Sequence, residues 1–342
     1  MNLFPYIEVS GSSYEMGYQH GAQASSLVRS YLMWIEKMTS RSRDILAANA
    51  VAFLPYIEAL SPRFVEEVKG LAAGADISFE EALLCQCRGE AARASAPEGC
   101  TAFALTGEAT DGGRPLAGQN QDLTPEFADV GIVLHLKPDD GRPRAITFTF
   151  AGQLGYMGMN QHGVAHFANG LGDCEWRLGL PHYPLKRYLL ELPDVACCRK
   201  TLAEHRTCSA ANMVFCDGGG AVADVEIRPE GIAVYRDQHP DSRLHTNHYL
   251  TPEFAPHETH ATADSRPRLQ RLRHLVEGRW GEITAEVMKA ILADHYGDPG
   301  AICRHGEKGM HSVAGYIAEP AAGLLHVRRG HGCTGTWKAY EV

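Results

Sequence analysis

The sequence predicts an α+β protein whose sheets are largely antiparallel and covered by helices. Three observations predict it: hairpin signals recur from residue 100 onward, helical patterns fall in pairs between them, and the first hundred residues read mainly as helices. In that first part "GYQHGAQASSLVRSYLMWIEKM" carries apolar residues at helical spacing. "SPRFVEEVKGLAAG" opens with Ser61 and Pro62 and closes at Gly74, which suits the start and stop of one helix. In "SFEEALLCQCRGEAAR", Ser78 and Glu81 have the spacing at which a hydroxyl and a carboxylate cap a helix reciprocally.

From Cys100 the pattern becomes extended. "CTAFALTGEA" and "RPLAGQNQDL" flank "TDGG", and Asp-Gly between two such runs favours a tight turn. Strand candidates follow in "GIVLHLKP", "RAITFTFAG" and "GYMGMNQHGVAHFANG", then three more in "NMVFCDGGGAVADVEIRPEGIAVYR". "VAGYIAEPAAGLLHVRRG" reads as another hairpin. Helices are expected at "PLKRYLLEL", "DVACCRKTLAEH", "SRPRLQRLRHLVEG" and "TAEVMKAILADH".

At 342 residues, 44% hydrophobic and 21% charged, the chain has the composition of one large globular unit, with or without a helical appendage. A net charge of −9 with no Lys/Arg run argues against nucleic acid as a partner, because phosphate backbones need a concentrated basic surface. No stretch approaches the roughly 20 apolar residues of a membrane helix, and the start lacks a leader pattern. A cytoplasmic protein without a membrane partner is expected.

Ten cysteines are scattered without a disulfide-framework pattern and read as reduced thiols. Cys85 and Cys87 form only a CxC, Cys197 and Cys198 are adjacent, and no CxxC pair meets a second, so structural zinc has little support. "DHYGDPGAICRHGEKGMH" brings His295, His305 and His311 near Asp294 and Asp298, but in a Gly-rich loop without HxxxH on a helix. These read as solvated loop histidines, with a metal hydrolase as the weaker alternative. No metal and no cofactor are expected; "GQLGYMG" matches neither phosphate-binding fingerprint.

Cys100 stands apart from the other cysteines. Pro97, Glu98 and Gly99 form an irregular segment before it, so it begins a strand. Gly99 has no Cβ, which opens the peptide between them to close approach by a nucleophile. If the hairpin closes at Gly112 and Gly113, its second strand returns Asp122 to the start of the first, where a carboxylate can orient an amine. Asn169 in "GVAHFANG" and Asn247 in "HTNHY" sit where an amide could stabilise an oxyanion. Each has an ordinary alternative: a buried structural cysteine, a strand-end cap, or turn chemistry.

Taken in order, "GSSYEMGYQHG", "GCTAFAL", "LAGQNQD", "GVAHFANG", "HTNHY" and "AICRHG" resemble the acyl-CoA:6-aminopenicillanic acid acyltransferase (isopenicillin N acyltransferase) family over nearly the whole chain. The resemblance implies an N-terminal nucleophile (Ntn) hydrolase, a four-layer αββα sandwich of two mainly antiparallel sheets, made as a precursor that cuts itself before a cysteine. It places the autocleavage at Gly99–Cys100 and matches Asp122 and Asn247 to the family's catalytic aspartate and asparagine. Asn169 matches by analogy with bile salt hydrolase and penicillin V acylase relatives. Gln119 stands where those relatives carry an arginine, as in the acyltransferase family itself. Thr101 and Arg304 are further supporting candidates. The family's arginine beyond its ICR block has no aligned counterpart near "EKGMH", Arg304 being a different position within that block.

Residues 1–99 are therefore expected to form a helical N-terminal segment that stays associated, and 100–342 the catalytic part, in one structural unit. Expected chemistry is amide hydrolysis or N-acyl transfer on a small amide, peptide or acyl-thioester through a Cys100 thioester. The rival is a family member that does not cleave and serves as a binding or scaffold protein.

Overall fold

A computed structural model of the chain describes residues 3–94, 99–172, 176–258, 261–305 and 310–342. Pro97 and Glu98, expected as an irregular segment, lie outside the described residues, as does most of the "EKGMH" stretch. Six helices fill the N-terminal part: α1 (Ser13–Thr39), α2 (Arg43–Ala50), α3 (Leu54–Leu60), α4 (Pro62–Ala75), α5 (Phe79–Gln86) and α6 (Arg88–Ala92). The capping box at Ser78 and Glu81 is formed. Where the sequence pattern suggests one helix beyond it, the chain breaks at Cys87, whose φ of −150° leaves the helical region and divides α5 from α6. Gly17 and Gly21 of α1 pack against Gly70 and Gly74 of α4; a Cβ on Gly17 would meet the Glu67 carbonyl oxygen at 1.9 Å, so these helices touch backbone to backbone.

A strand not foreseen, β1 (Tyr6–Gly11), precedes these helices. Then come β2 (Gly99–Gly107), β3 (Gly113–Leu123), β4 (Gly131–Pro138), β5 (Ala145–Phe150), β6 (Met157–Asn160) and β7 (Ala165–Gly170). After α7 (His182–Leu189) and α8 (Val195–Glu204) follow β8 (Ala211–Cys216), β9 (Val222–Arg228), β10 (Gly231–Tyr235) and β11 (Ser242–His245). The chain ends with α9 (Ser265–Glu277), α10 (Ala285–Ile291), β12 (His311–Glu319), β13 (Leu324–Arg329) and β14 (Thr336–Glu341).

Two sheets result, one of eight strands in the order β1-β4-β5-β6-β7-β8-β9-β10 and one of six in the order β11-β2-β3-β12-β13-β14. Among the named strands of the described residues, only β1 with β4 pair in parallel. The sheets pack face to face through β2 and β3 against β7 and β8; α1 and α8 lie over the larger sheet, and α9 and α10 over the smaller. This is the αββα sandwich. β11 and β14 also escaped the sequence reading, because edge strands of four and six residues carry little apolar pattern of their own.

Candidate active site

Strand alternation decides how the residues around Cys100 are distributed. β2 and β3 pair with Gly99 opposite Asp122 and Cys100 opposite Gln121. Paired residues share a face and successive ones alternate. Ala102 and Ala104 join the core between the sheets, while Phe103 and Leu105 pack with Leu269, Leu272 and Met288 beneath the helices. Cys100 thus belongs to the inter-sheet face with Gln121, and Asp122 to the helix face with Gly99. The hairpin brings Asp122 to the backbone at the Gly99–Cys100 junction, on the side away from the sulfur.

On that helix face one arginine meets Asp122 and another reaches the Cys100 backbone carbonyl. Arg304 lies within ion-pair distance of the Asp122 carboxylate, Nε to Oδ2 3.4 Å, and pairs also with Asp264. Its backbone N–H donates to Ser312 Oγ at 2.9 Å, and that hydroxyl donates to Asp122 Oδ1 at 2.6 Å. A Cβ on Gly99 would lie 3.0 Å from Arg304 Nη1 and 3.3 Å from Asp122 Oδ2, so glycine lets these charged groups close on the backbone. Arg268, at the first turn of α9, donates to the Cys100 carbonyl oxygen at 2.6 Å, to Thr101 Oγ1 at 3.0 Å and to Asn247 Oδ1 at 2.9 Å. Its Nε donates to Asp264 Oδ2 at 2.7 Å.

Arg268 was missed by the sequence reading. One signal could have found it: it falls on the apolar stripe of α9, among buried Ser265, Leu269, Leu272 and Val276, where an arginine needs partners. The two guanidiniums and two carboxylates offset one another. Burial raises the Asp122 carboxyl above the usual range, opposed by Arg304 and Arg268, and burial lowers Arg268.

Asn247 faces Cys100 as an acceptor. The Cys100 backbone N–H donates to its Oδ1 at 2.8 Å, while its Nδ2 donates to the Gly170 carbonyl at 3.0 Å and its N–H to Ser265 Oγ at 2.8 Å. Two donors on Oδ1 and an acceptor on Nδ2 assign the amide's orientation. The loop is anchored by buried His245, which contacts Glu226 at 3.2 Å. Burial works against its charge, but Asp224 and Glu226 outweigh it and raise the imidazole above its ordinary value.

Asn169, at the end of β7, is held loosely, its Nδ2 donating to the His245 carbonyl at 3.4 Å while its Oδ1 has no hydrogen-bond partner among the described residues. It lines a cavity of about 90 Å³ together with Arg88, Glu90, Tyr156, Tyr183 and Lys186. Tyr156 links this cavity to the inter-sheet face that Cys100 shares with Gln121: its hydroxyl accepts from Gln121 Nε2 at 2.8 Å, and Tyr316 donates to Gln121 Oε1 at 2.7 Å. Gln119 joins the sheets, its Oε1 accepting from the Ala168 N–H at 2.9 Å. The structure therefore gathers Gly99, Cys100, Thr101, Asp122, Asn247 and Arg304 at one end of β2, sets Asn169 beside Gly170, which Asn247 contacts, and leaves Gln119 further along β3 as a tie between the sheets.

Solved structures share this architecture. An arginine-to-leucine variant of conjugated bile acid hydrolase from Clostridium perfringens superposes with a TM-score of 0.50 at 11% identity, covering 71% of this chain and 97% of that one. Penicillin V acylase from Agrobacterium tumefaciens does so with a TM-score of 0.50 at 12% identity, over 71% and 86%. Two antiparallel sheets between helical layers, matched to these structures, define the fold of the Ntn hydrolases. Within that class, the model of the acyl-coenzyme A:6-aminopenicillanic acid acyl-transferase family matches residues 109–328, and the chain belongs to that family. It is 26% identical over 312 residues to the 40 kDa form of acyl-coenzyme A:6-aminopenicillanic-acid-acyltransferase from Emericella nidulans, covering 89% of this chain and 85% of that protein. An uncharacterized protein from Archaeoglobus fulgidus is 24% identical over 84% of this chain and 57% of its own length. The family match begins beyond Cys100.

Proposed function

We propose that the chain is the precursor of a cysteine Ntn amidohydrolase or N-acyltransferase that cleaves itself between Gly99 and Cys100. The observation that carries this reading is the convergence of Asn247, Arg268, Asp122 and Arg304 on one peptide junction at the end of β2. Cys100 Sγ attacks the Gly99 carbonyl carbon, the C–N bond breaks as the nitrogen takes a proton, and an N-to-S shift leaves a thioester. Water hydrolyses it, releasing the Gly99 carboxylate and a free Cys100 amine. An α-amine with an ordinary pKa of about 7.7 to 8.0 then serves as base for its own thiol.

Each group has a task there. Asn247 Oδ1 already accepts from the nitrogen that becomes the amine, and Arg268 holds the Cys100 carbonyl, so both fix the new terminus before it exists. Asp122 and Arg304 flank the Gly99 side, where the leaving carboxylate is made. Asn169 supplies an oxyanion donor once its Nδ2, held by a 3.4 Å bond to the His245 carbonyl, turns toward substrate. The acyl group comes from a small amide, peptide or acyl-thioester, and the acyl-enzyme passes it to water or an amine. The 1–99 segment stays bound after cleavage, since β1 is paired along β4 and α1 lies over the same sheet. A cytoplasmic setting suits the nine described cysteines, which stand as thiols.

Intact mass of the purified protein beside a Cys100→Ala variant tests the reading. Fragments of residues 1–99 and 100–342 are expected from the parent alone. A parent that stays one chain and forms no thioester with amide or acyl-thioester substrates would sink it.

A further inference from the structure

The loop after α10 and the turn between β13 and β14 bring together His295, Cys303, His305 and Cys333, whose ligand atoms all lie within 4.8 Å of one another. Cys303 Sγ and Cys333 Sγ are 3.9 Å apart, Cys333 Sγ and His305 Nε2 3.6 Å, and His305 Nε2 and His295 Nε2 2.8 Å. Zinc bonds of about 2.3 Å to sulfur and 2.0 Å to nitrogen make tetrahedral edges of roughly 3.8 Å between sulfurs, 3.5 Å between sulfur and nitrogen and 3.3 Å between nitrogens. The Cys303–Cys333 and Cys333–His305 edges match, the two imidazole nitrogens need part by only about half an ångström, and the three other sulfur–nitrogen edges lie within 4.8 Å.

We propose that these four residues form a Cys2His2 zinc site that is structural in role. Two thiolates balance the charge of a divalent ion, soft sulfur with imidazole selects zinc over magnesium or calcium, and four protein ligands leave no open position for substrate. The sequence reading passed over it because Cys333 lies 28 residues beyond His305 and neither cysteine belongs to a CxxC pair.

Its place in the fold says what it secures. Cys303 and His305 flank Arg304, which reaches Asp122. His295 follows α10, and the turn bearing Cys333 is seated on the end of that helix: a Cβ on Gly332 would meet the Leu292 carbonyl oxygen at 2.3 Å. Around it, the His305 ring stacks on His331 with centroids 5.0 Å apart, and His331 hydrogen-bonds His311 at 3.3 Å. Zinc would clasp helix end, arginine loop and hairpin turn together, independently of any reaction at Cys100.

The test uses full-length protein purified with a reductant, stripped with a chelator and titrated with zinc alone or cobalt alone. About one zinc per chain is expected, and the cobalt form should show intense tetrahedral visible bands with thiolate charge-transfer absorption. Cys333→Ser and His295→Ala should each weaken zinc binding roughly tenfold or more, with the thiolate band reduced in the first. Weak octahedral cobalt bands, binding that Cys333→Ser does not alter, or a Cys303–Cys333 disulfide with no metal uptake after its reduction would each overturn the assignment.

Discussion

The backbone nitrogen of Cys100 donates to Asn247 Oδ1 at 2.8 Å, across 147 positions of sequence. This bond ties the start of β2 to the loop after β11, and Arg268 reinforces it by donating to the same oxygen and to the Cys100 carbonyl. Replacing Asn247 by Ala leaves a buried N–H without its partner, at about 1–3 kcal/mol. On the proposed mechanism, self-cleavage in Asn247→Ala should slow about a hundredfold or more, timed by the appearance of the 100–342 fragment.

Arg268→Met should be harsher on stability than on any single bond. It strips partners from Asp264, the Cys100 carbonyl and Asn247 together, and removing one member of a buried charged pair costs about 3–5 kcal/mol. Denaturant midpoints measured in a Cys100→Ala background, where no chain is cut, should fall accordingly. Arg268→Lys should recover part of the loss. Equal stability of parent and Met variant would count against the network.

Gly99→Ala is expected to fold and to cleave at least tenfold more slowly. The added methyl would stand 3.0 Å from Arg304 Nη1 and 3.3 Å from Asp122 Oδ2, tight enough to push both groups off the backbone. An unchanged cleavage rate would show that the close approach of these side chains is not needed.

Acid should destabilise the fold between about pH 6.5 and 4. Burial alone lowers His20 from 6.5 to about 4, and burial is the main cause for His166, lowered to about 3, and His182, to about 4. A histidine lowered in the folded state contributes stability that is complete above its unfolded value and is lost as pH falls toward the folded one. Each pH unit in that window costs up to about 1.4 kcal/mol per histidine. Urea unfolding of the Cys100→Ala chain at pH 7, 5 and 4 should show the decline. His20→Gln, whose amide can still accept from the Gly152 N–H as His20 Nε2 does at 3.1 Å, should flatten it.

Sequence alone determined the parts that rest on local chemistry. The reciprocal cap at Ser78 and Glu81, the Asp-Gly turn joining β2 to β3, and the antiparallel, helix-covered class all follow from neighbouring residues. The ordered blocks carried the family. Tertiary structure alone decided what each side chain faces. Alternation along paired strands puts Asp122 on the backbone side of the junction, away from the sulfur, and sets Gln121 on the sulfur's face. Arg268, an arginine among several in α9, acquires its role only when the helix packs over β2, and Cys333 meets His305 only when a hairpin turn seats on α10. Such long-range meetings are set by packing of whole layers, which no window of sequence contains.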